Sequence, residues 1–343
     1  MEQFSEFLET IGYMTFSNDR FWVVFAAAAA AVVLYQLLGA FAPKAVAPVR
    51  GFFRRHPLVW LLIPAALLIY FIYVSLGWNL WVSVSDWEAG DLQASYGWGG
   101  FGNYARMFQS DQFMPALKNT LLLFCLIPLC LFLGLCLALV MDQGLKGTAL
   151  FRTLILLPFA LSFVVTGTVW AYMYRPTGGV LNSFLGMIGM DVAGAMREGH
   201  LMWASSNATI MLSIIIAMVW QFSGYVAVIF LAAIKNVPTN IINAAKLDGA
   251  YMPRIYLKMI IPQLKGAMGS CITILAMYAL RSFDFIVSLV GYTTSSAWTL
   301  PVWMYNEAFQ SNNFAYSAAI SCFLLALVLV LILPITYWTN RRS

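Results

Sequence analysis

The sequence predicts an all-α polytopic membrane protein of seven spans, with the N-terminus outside and the C-terminus in the cytoplasm. Three observations carry this. First, of 343 residues 62% are hydrophobic and only 10% charged, with a mean hydropathy of +0.80, far from the balance of an ordinary soluble domain. Second, the apolar residues gather into runs of the roughly 20 residues that cross a bilayer. Third, the basic residues divide unevenly between alternate loops. Thirteen lie in the segments assigned to the inside, among them Lys44, Arg54, Lys146, Lys246, Arg254 and Arg341, and five lie outside (Arg20, Arg106, Lys118, Arg175, Arg197). Cytoplasmic loops hold the excess of Lys and Arg, which sets the orientation. The net charge of +5 sits in short loops between spans and is no footprint for nucleic acid.

Residues Met1 to Arg20 hold Glu2, Glu6, Glu9 and Asp19 against Arg20 alone, unlike the basic start of a secretory signal. Phe4, Phe7, Leu8 and Ile11 recur at helical spacing, which fits a short amphipathic helix on the outer membrane surface or an unstructured tail. The first span is Phe21 to Ala42, where the alanine run Ala26 to Ala31 allows close helix packing. A basic linker leads to the second span, Leu58 to Val82, which tolerates Pro64. A long acidic and aromatic outer loop follows, then spans at Asn119 to Met141 and Phe151 to Tyr174, with Pro128 and Pro158 as sites where a helix can break. After a second outer loop come Ala208 to Ile234, Leu264 to Val290 and Ala315 to Trp338. Cys125, Cys130, Cys136, Cys271 and Cys322 all lie in apolar runs without metal-ligand spacing and read as small buried hydrophobes. No metal site is expected. The chain carries no GxxxxGK[ST] phosphate loop, so it is not expected to bind ATP itself.

One polar, basic stretch interrupts the membrane pattern, NAAKLDGAYMPRIYLKMIIP from Asn243 to Pro262. Ile241, Ile242, Ala245 and Leu247 are read as one apolar face of a short helix. Gly249 permits a turn that a side chain would hinder, and Pro253 can start a second helix. Such a helix–turn–helix on a membrane surface suits docking into a groove of a soluble partner. The stretch resembles the EAA loop of ABC-importer permeases: Glu-Ala-Ala, three residues, Gly, nine residues, Ile, one residue, Leu-Pro. Ala244, Ala245, Gly249 and Pro262 fall on that pattern in register, as does the Asp-Gly-Ala of Asp248, Gly249 and Ala250. Asn243 stands in place of the glutamate, Met259 of the isoleucine and Ile261 of the leucine. Asn243 cannot form the ion pair that a glutamate would make with an arginine of an ATPase.

The resemblance extends over Leu58 to the C-terminus. Trp98 to Thr120 resembles the segment before the second core helix of sugar permeases, with Trp98, Gly100, Phe101, Asn103 and Tyr104 on its Trp-x-Gly-φ-x-Asn-Tyr motif and Asn119-Thr120 at its end. Phe151 to Trp170 resembles their third core helix, and Arg281 to Phe309 the end of the fifth and the loop after it, with Tyr292, Thr293 and Thr294 where Gly-Gly-Pro is usual. Residues 58–343 are thus read as a six-helix permease domain with its coupling loop at 240–262, and residues 1–57 as an N-terminal addition. Glucose and related sugar permeases look the most similar within the family.

Two spans offer the hydrogen-bonding and aromatic groups that hold a sugar. Trp220, Gln221, Ser223 and Tyr225 interrupt the fifth span, with Gln221 and Tyr225 on one face. Tyr278, Arg281 and Asp284 are spaced to share a stripe in the sixth. Charges inside a span default to a functional reading, with an intrahelical Arg281–Asp284 pair that braces the bundle as the alternative. For Trp220 and Phe222, core packing is the alternative. In maltose-type permeases sugar contacts come from the fourth and fifth core helices. By register, the resemblance implies contacts at Gln221, Phe222 and Tyr225, and at Met277, Leu280, Arg281 and Asp284; Tyr278 is a candidate from its place on the polar stripe. It implies ATPase coupling through Asn243, Ala244, Ala245, Lys246, Leu247, Asp248, Gly249, Ala250 and Pro262.

The function implied is that of the permease subunit of an ATP-driven, binding-protein-dependent sugar importer in a bacterial inner membrane. Its partners would be a second permease, two ATPase copies holding ATP and Mg, an extracytoplasmic sugar-binding protein, the sugar and membrane lipid. Rival readings are a permease for a polyol or glycerol phosphate and an ATP-independent secondary transporter, whose inverted repeats are not evident in the sequence. An intramembrane enzyme would need paired carboxylates, a Ser/His couple or a metal cluster within the spans. The topology predicts that a reporter fused after Ser343 is cytoplasmic and one before Met1 extracytoplasmic; finding both on one side would refute the count of seven.

Overall fold

A computed structural model describes residues 57–90, 96–144, 146–197, 203–204, 206–207 and 209–340. The expected first span, Phe21 to Ala42, and the N-terminal tail lie outside the described residues. Within them the protein is helical, and the one extended feature is an isolated antiparallel bridge between Ser85 and Trp98. The residues sort into two compact units, one reaching to Arg106 and including Ser311–Cys322, the other spanning Met107–Gln310 with Phe323 onward.

The first unit is built on α1 (Pro57–Ser83), an apolar helix of 27 residues that contains Pro64. Leu67, Leu68, Ile69, Ile72 and Tyr73 on it are exposed, a surface suited to hydrocarbon. Its C-terminal end is where the Trp-x-Gly-φ-x-Asn-Tyr segment attaches. The Asn103 amide donates to the Ser83 and Ser85 carbonyls at 3.1 and 3.2 Å, and the Tyr104 and Ser83 hydroxyls are 2.8 Å apart. Asn103 thus satisfies carbonyls that the end of α1 leaves without a helical partner. Tyr104 lies in α2 (Gly102–Gln109). The beginning of α16 (Phe314–Asn340) closes this unit: Asn79 donates to Ser321 Oγ at 2.6 Å, Arg106 lies 4.6 Å over the Tyr316 ring, and Trp87 stacks on Phe314.

The second unit opens with α3 (Phe113–Leu122) and α4 (Leu126–Asp142), joined through a 3-10 turn at Leu123–Cys125 into one apolar rod of 30 residues. Next come α5 (Thr148–Ala160), α6 (Phe163–Met173), and the short α7 (Val180–Met187) and α8 (Val192–Arg197). At its centre is α9 (Ile210–Lys235), apolar around its circumference and largely buried, as such a helix must be. It packs on α4 and α5. Small residues make this possible: a side chain at Gly134 would meet Val226 and Ala227, and one at Gly224 would fall on the Ile155 carbonyl. The chain continues with α10 (Thr239–Leu247), α11 (Met252–Ile255), a π-helical turn (Tyr256–Ile260), α12 (Ile261–Gln263), α13 (Lys265–Leu280), α14 (Phe283–Val290) and α15 (Leu300–Phe309). α14 packs on α6. The Asn119-Thr120 pair anchors the loop before α15. The Asn119 amide donates to the Ser296 and Trp298 carbonyls at 2.9 Å each, and Thr120 Oγ1 accepts the Leu300 N–H at 2.9 Å.

Four of these helices are long and apolar enough to cross a membrane, and six if each bent pair is one span. The expected span Phe151 to Tyr174 is broken just after Pro158, one of the two prolines read as possible break sites: α5 and α6 meet at 98°. Leu264 to Val290 is likewise interrupted, at Arg281 and Ser282, and α13 is bent by 62° from the segment before it. Because Gly224 lets α5 approach α9, Gly224→Leu is expected to cost about 1–3 kcal/mol. Thermal unfolding in detergent reads this as a lowered midpoint, with Gly77→Leu, which meets no neighbour within 4 Å, leaving it unchanged.

Candidate functional site

Pro158 lies in the last turn of α5, where it cannot donate a helical hydrogen bond. Leu161 then turns extended (φ −75°, ψ 145°), and the Ser162 hydroxyl caps α6 by accepting the Val165 N–H at 3.3 Å. The break frees the Leu161 carbonyl, and the Gln221 amide on α9 donates to it at 3.1 Å. Gln221 is 1% exposed, and its Oε1 is buried without a partner among the described residues.

Next to this break lies a cavity of about 360 Å³ lined by Phe159, Leu161, Ser162, Phe163, Val164, Gln221, Phe222, Tyr278 and Asp284. One wall is aromatic: Phe222 lies against Tyr278 with ring centroids 4.8 Å apart, and Phe163 meets Tyr278 edge-on at 5.5 Å. The polar groups are the Ser162 hydroxyl, the Gln221 amide, the Tyr278 phenol and the Asp284 carboxylate. Asp284 stands in the first turn of α14, where the positive end of the helix dipole favours a carboxylate. Amide, hydroxyl and carboxylate beside ring faces suit a neutral polyhydroxylated ligand.

Of the residues expected to bind substrate, the cavity brings together Gln221, Phe222, Tyr278 and Asp284. The others are placed elsewhere. Tyr225 stacks on the far member of the wall, Phe159, at 4.4 Å. Leu280 is buried in the core, Met277 is exposed, and Arg281 is exposed at the C-cap of α13. The common stripe of Tyr278, Arg281 and Asp284 does not form, because the helix stops between them, and among the described residues no ion pair joins Arg281 to Asp284. The α5–α6 break contributes five lining residues that the sequence reading missed. Pro158 followed by Leu161-Ser162 was the available signal.

The second expected site, the polar segment, folds as its turn chemistry demands. α10 ends in a Schellman motif: the Gly249 N–H donates to Lys246 O at 3.1 Å and the Ala250 N–H to Ala245 O at 3.0 Å. Gly249 has φ +76° with open space around it, so glycine is required by the backbone and not by crowding. Pro253 begins α11. The single apolar face is corrected. Ala245 is 2% exposed and anchors the helix in the core, whereas Leu247 is 90% exposed, since two residues of helix turn it to the opposite side. Asn243, Ala244, Lys246 and Asp248 are exposed, as is Pro262. Tyr251 and Leu257 join Leu247 as exposed apolar side chains.

Comparison with known proteins agrees with this architecture. Residues 130–341 match the family of binding-protein-dependent transport system inner membrane components. A probable ABC transporter permease of Pyrococcus horikoshii is 40% identical over 295 residues, 84% of this chain and 98% of the relative. The xylose/arabinose import permease XacH of Haloferax volcanii is 36% identical over 284 residues, 82% of this chain and 87% of the relative. A bacterial alginate ABC transporter, solved with its alginate-pentasaccharide-bound periplasmic protein, has a chain of similar fold (TM-score 0.69, 21% identity, 85% of this chain and 96% of that chain). The helical core, the segment Asn243 to Pro262 and these matches together place the chain in the family of binding-protein-dependent transport system inner membrane components, the membrane permeases of ABC importers.

Proposed function

We propose that this permease is one membrane subunit of an ATP-driven importer of a neutral sugar, in a bacterial inner membrane with its C-terminus in the cytoplasm. The cavity at the α5–α6 break carries this reading, since its aromatic wall and its amide, hydroxyl and carboxylate groups match a sugar's C–H faces and hydroxyls. The permeases of similar sequence and the alginate transporter of similar fold support carbohydrate import. Asp284 is the charged group lining the cavity, which disfavours an anion such as glycerol phosphate through like-charge repulsion. A second permease would complete the translocation path. Two copies of an ATPase, holding ATP and Mg, would dock on the segment from Asn243 to Pro262, and an extracytoplasmic binding protein would deliver the sugar. ATP binding then moves α10, and the cavity alternates between facing out and facing in through differential stability of the two states.

Purification from native membranes in mild detergent tests this directly. An ATPase and a second permease are expected at fixed stoichiometry, and a chain recovered alone would refute the importer. Gly249→Ile in that complex should abolish uptake and ATPase stimulation while the chain stays folded, because a β-branched residue is strained at positive φ; normal uptake would remove the docking role. Asp284→Asn should weaken uptake by about ten-fold, the scale of one charge-assisted hydrogen bond, with assembly intact. Lost assembly would make Asp284 a bracing residue instead.

A further inference from the structure

Outside the cavity, one polar cluster ties three separate segments together. α4 ends at Asp142, the negative end of its helix dipole, where a carboxylate is disfavoured. Both of its oxygens are nevertheless engaged. Oδ1 pairs with Lys235 Nζ, in the last turn of α9, at 2.6 Å. Oδ2 accepts the Tyr256 hydroxyl at 2.6 Å. Tyr256 opens the π-helical turn that follows α11, and such turns recur where a helix is locally specialised. A cavity of about 590 Å³ separates this cluster from Asn243 and Lys246 of α10. Among the described residues, the polar tie between the segment after α10 and the two central helices therefore runs through the Asp142 carboxylate.

Stability alone gives a weak reason for this arrangement. Lys235 is 60% exposed, and ion pairs open to water contribute little to folding. What the short, charge-assisted bonds do supply is fixed direction. We infer that Asp142 is a positioning residue for coupling: it holds the ends of α4 and α9 to Tyr256, so that displacement of the segment by the ATPase moves both central helices together. This rests on the reading that Asn243 to Pro262 docks the ATPase.

The test uses the full complex with a reporter that needs no knowledge of the sugar. Cys125 and Cys136 are replaced by Ser, and Val164→Cys places a thiol on the cavity wall. Its rate of maleimide labelling is measured without nucleotide and with ATP plus orthovanadate, which traps the closed ATPase. With Asp142 intact the two rates should differ by at least about five-fold, the lower end of typical coupling between sites. Asp142→Asn should bring the ratio near one while vanadate-trapped nucleotide is unchanged. Tyr256→Phe, which removes one hydroxyl, should shift the ratio the same way, and the double variant should be no worse than Asp142→Asn alone. Lys235→Arg should preserve the ratio. An unchanged ratio in both Asp142→Asn and Tyr256→Phe overturns the inference and leaves the docking reading standing. An absent response with Asp142 intact overturns the docking reading, and the inference with it.

Discussion

Inside a bilayer every backbone N–H and C=O must find its partner within the protein, so a helix can break only where something else satisfies the freed groups. Here the α5–α6 break is satisfied from two sides. The Ser162 hydroxyl caps the new N-terminus, and the Gln221 amide takes the orphaned Leu161 carbonyl. Gln221 can reach it because Gly224, one turn further along α9, brings the two helices into backbone contact. The cavity follows from this geometry: a 98° bend leaves a space that two straight helices would close. The aromatic rings of Phe159, Phe163, Phe222 and Tyr278 then wall it.

The same group that holds the break open is also half unsatisfied. The buried Oε1 of Gln221 lacks a partner among the described residues, a state that costs free energy until a donor reaches it. An importer must bind its cargo in one state and release it in another, and a marginally satisfied polar group is suited to that exchange.

At the polar segment the constraint is conformational. The Schellman turn fixes where α10 stops, and burial of Ala245 fixes which side faces the core. The opposite side, with Leu247, is then left exposed. Asp142, Lys235 and Tyr256 add direction-specific bonds to the burial of Ala245, Ile255 and Ile260 that joins this segment to the long central helices.

Local chemistry made much of this readable from residue order alone. Apolar runs marked the spans because the bilayer admits little else, glycine marked the turn at 249 because it alone takes a positive φ at little cost, and proline marked the helix start at 253 because its φ is fixed. Asn103, Asn119 and Thr120 were legible as motif members, although their hydrogen-bond partners were not. Of the residues that line the cavity, Gln221, Tyr278 and Asp284 stood out as polar groups within apolar runs, and Phe222 was named through the register of the resemblance. Tertiary structure decided the rest. A break at Leu161–Ser162 depends on Gln221, sixty residues away, to satisfy a carbonyl, and the stop at Arg281–Ser282 separates side chains that helical spacing would align. Periodicity assumes an unbroken helix, so it placed Arg281 beside Asp284, whereas Leu247 and Ala245, two residues apart in one continuous helix, face opposite sides. Which residues meet across space was set by packing around α9, a property of the assembled bundle that no local stretch encodes.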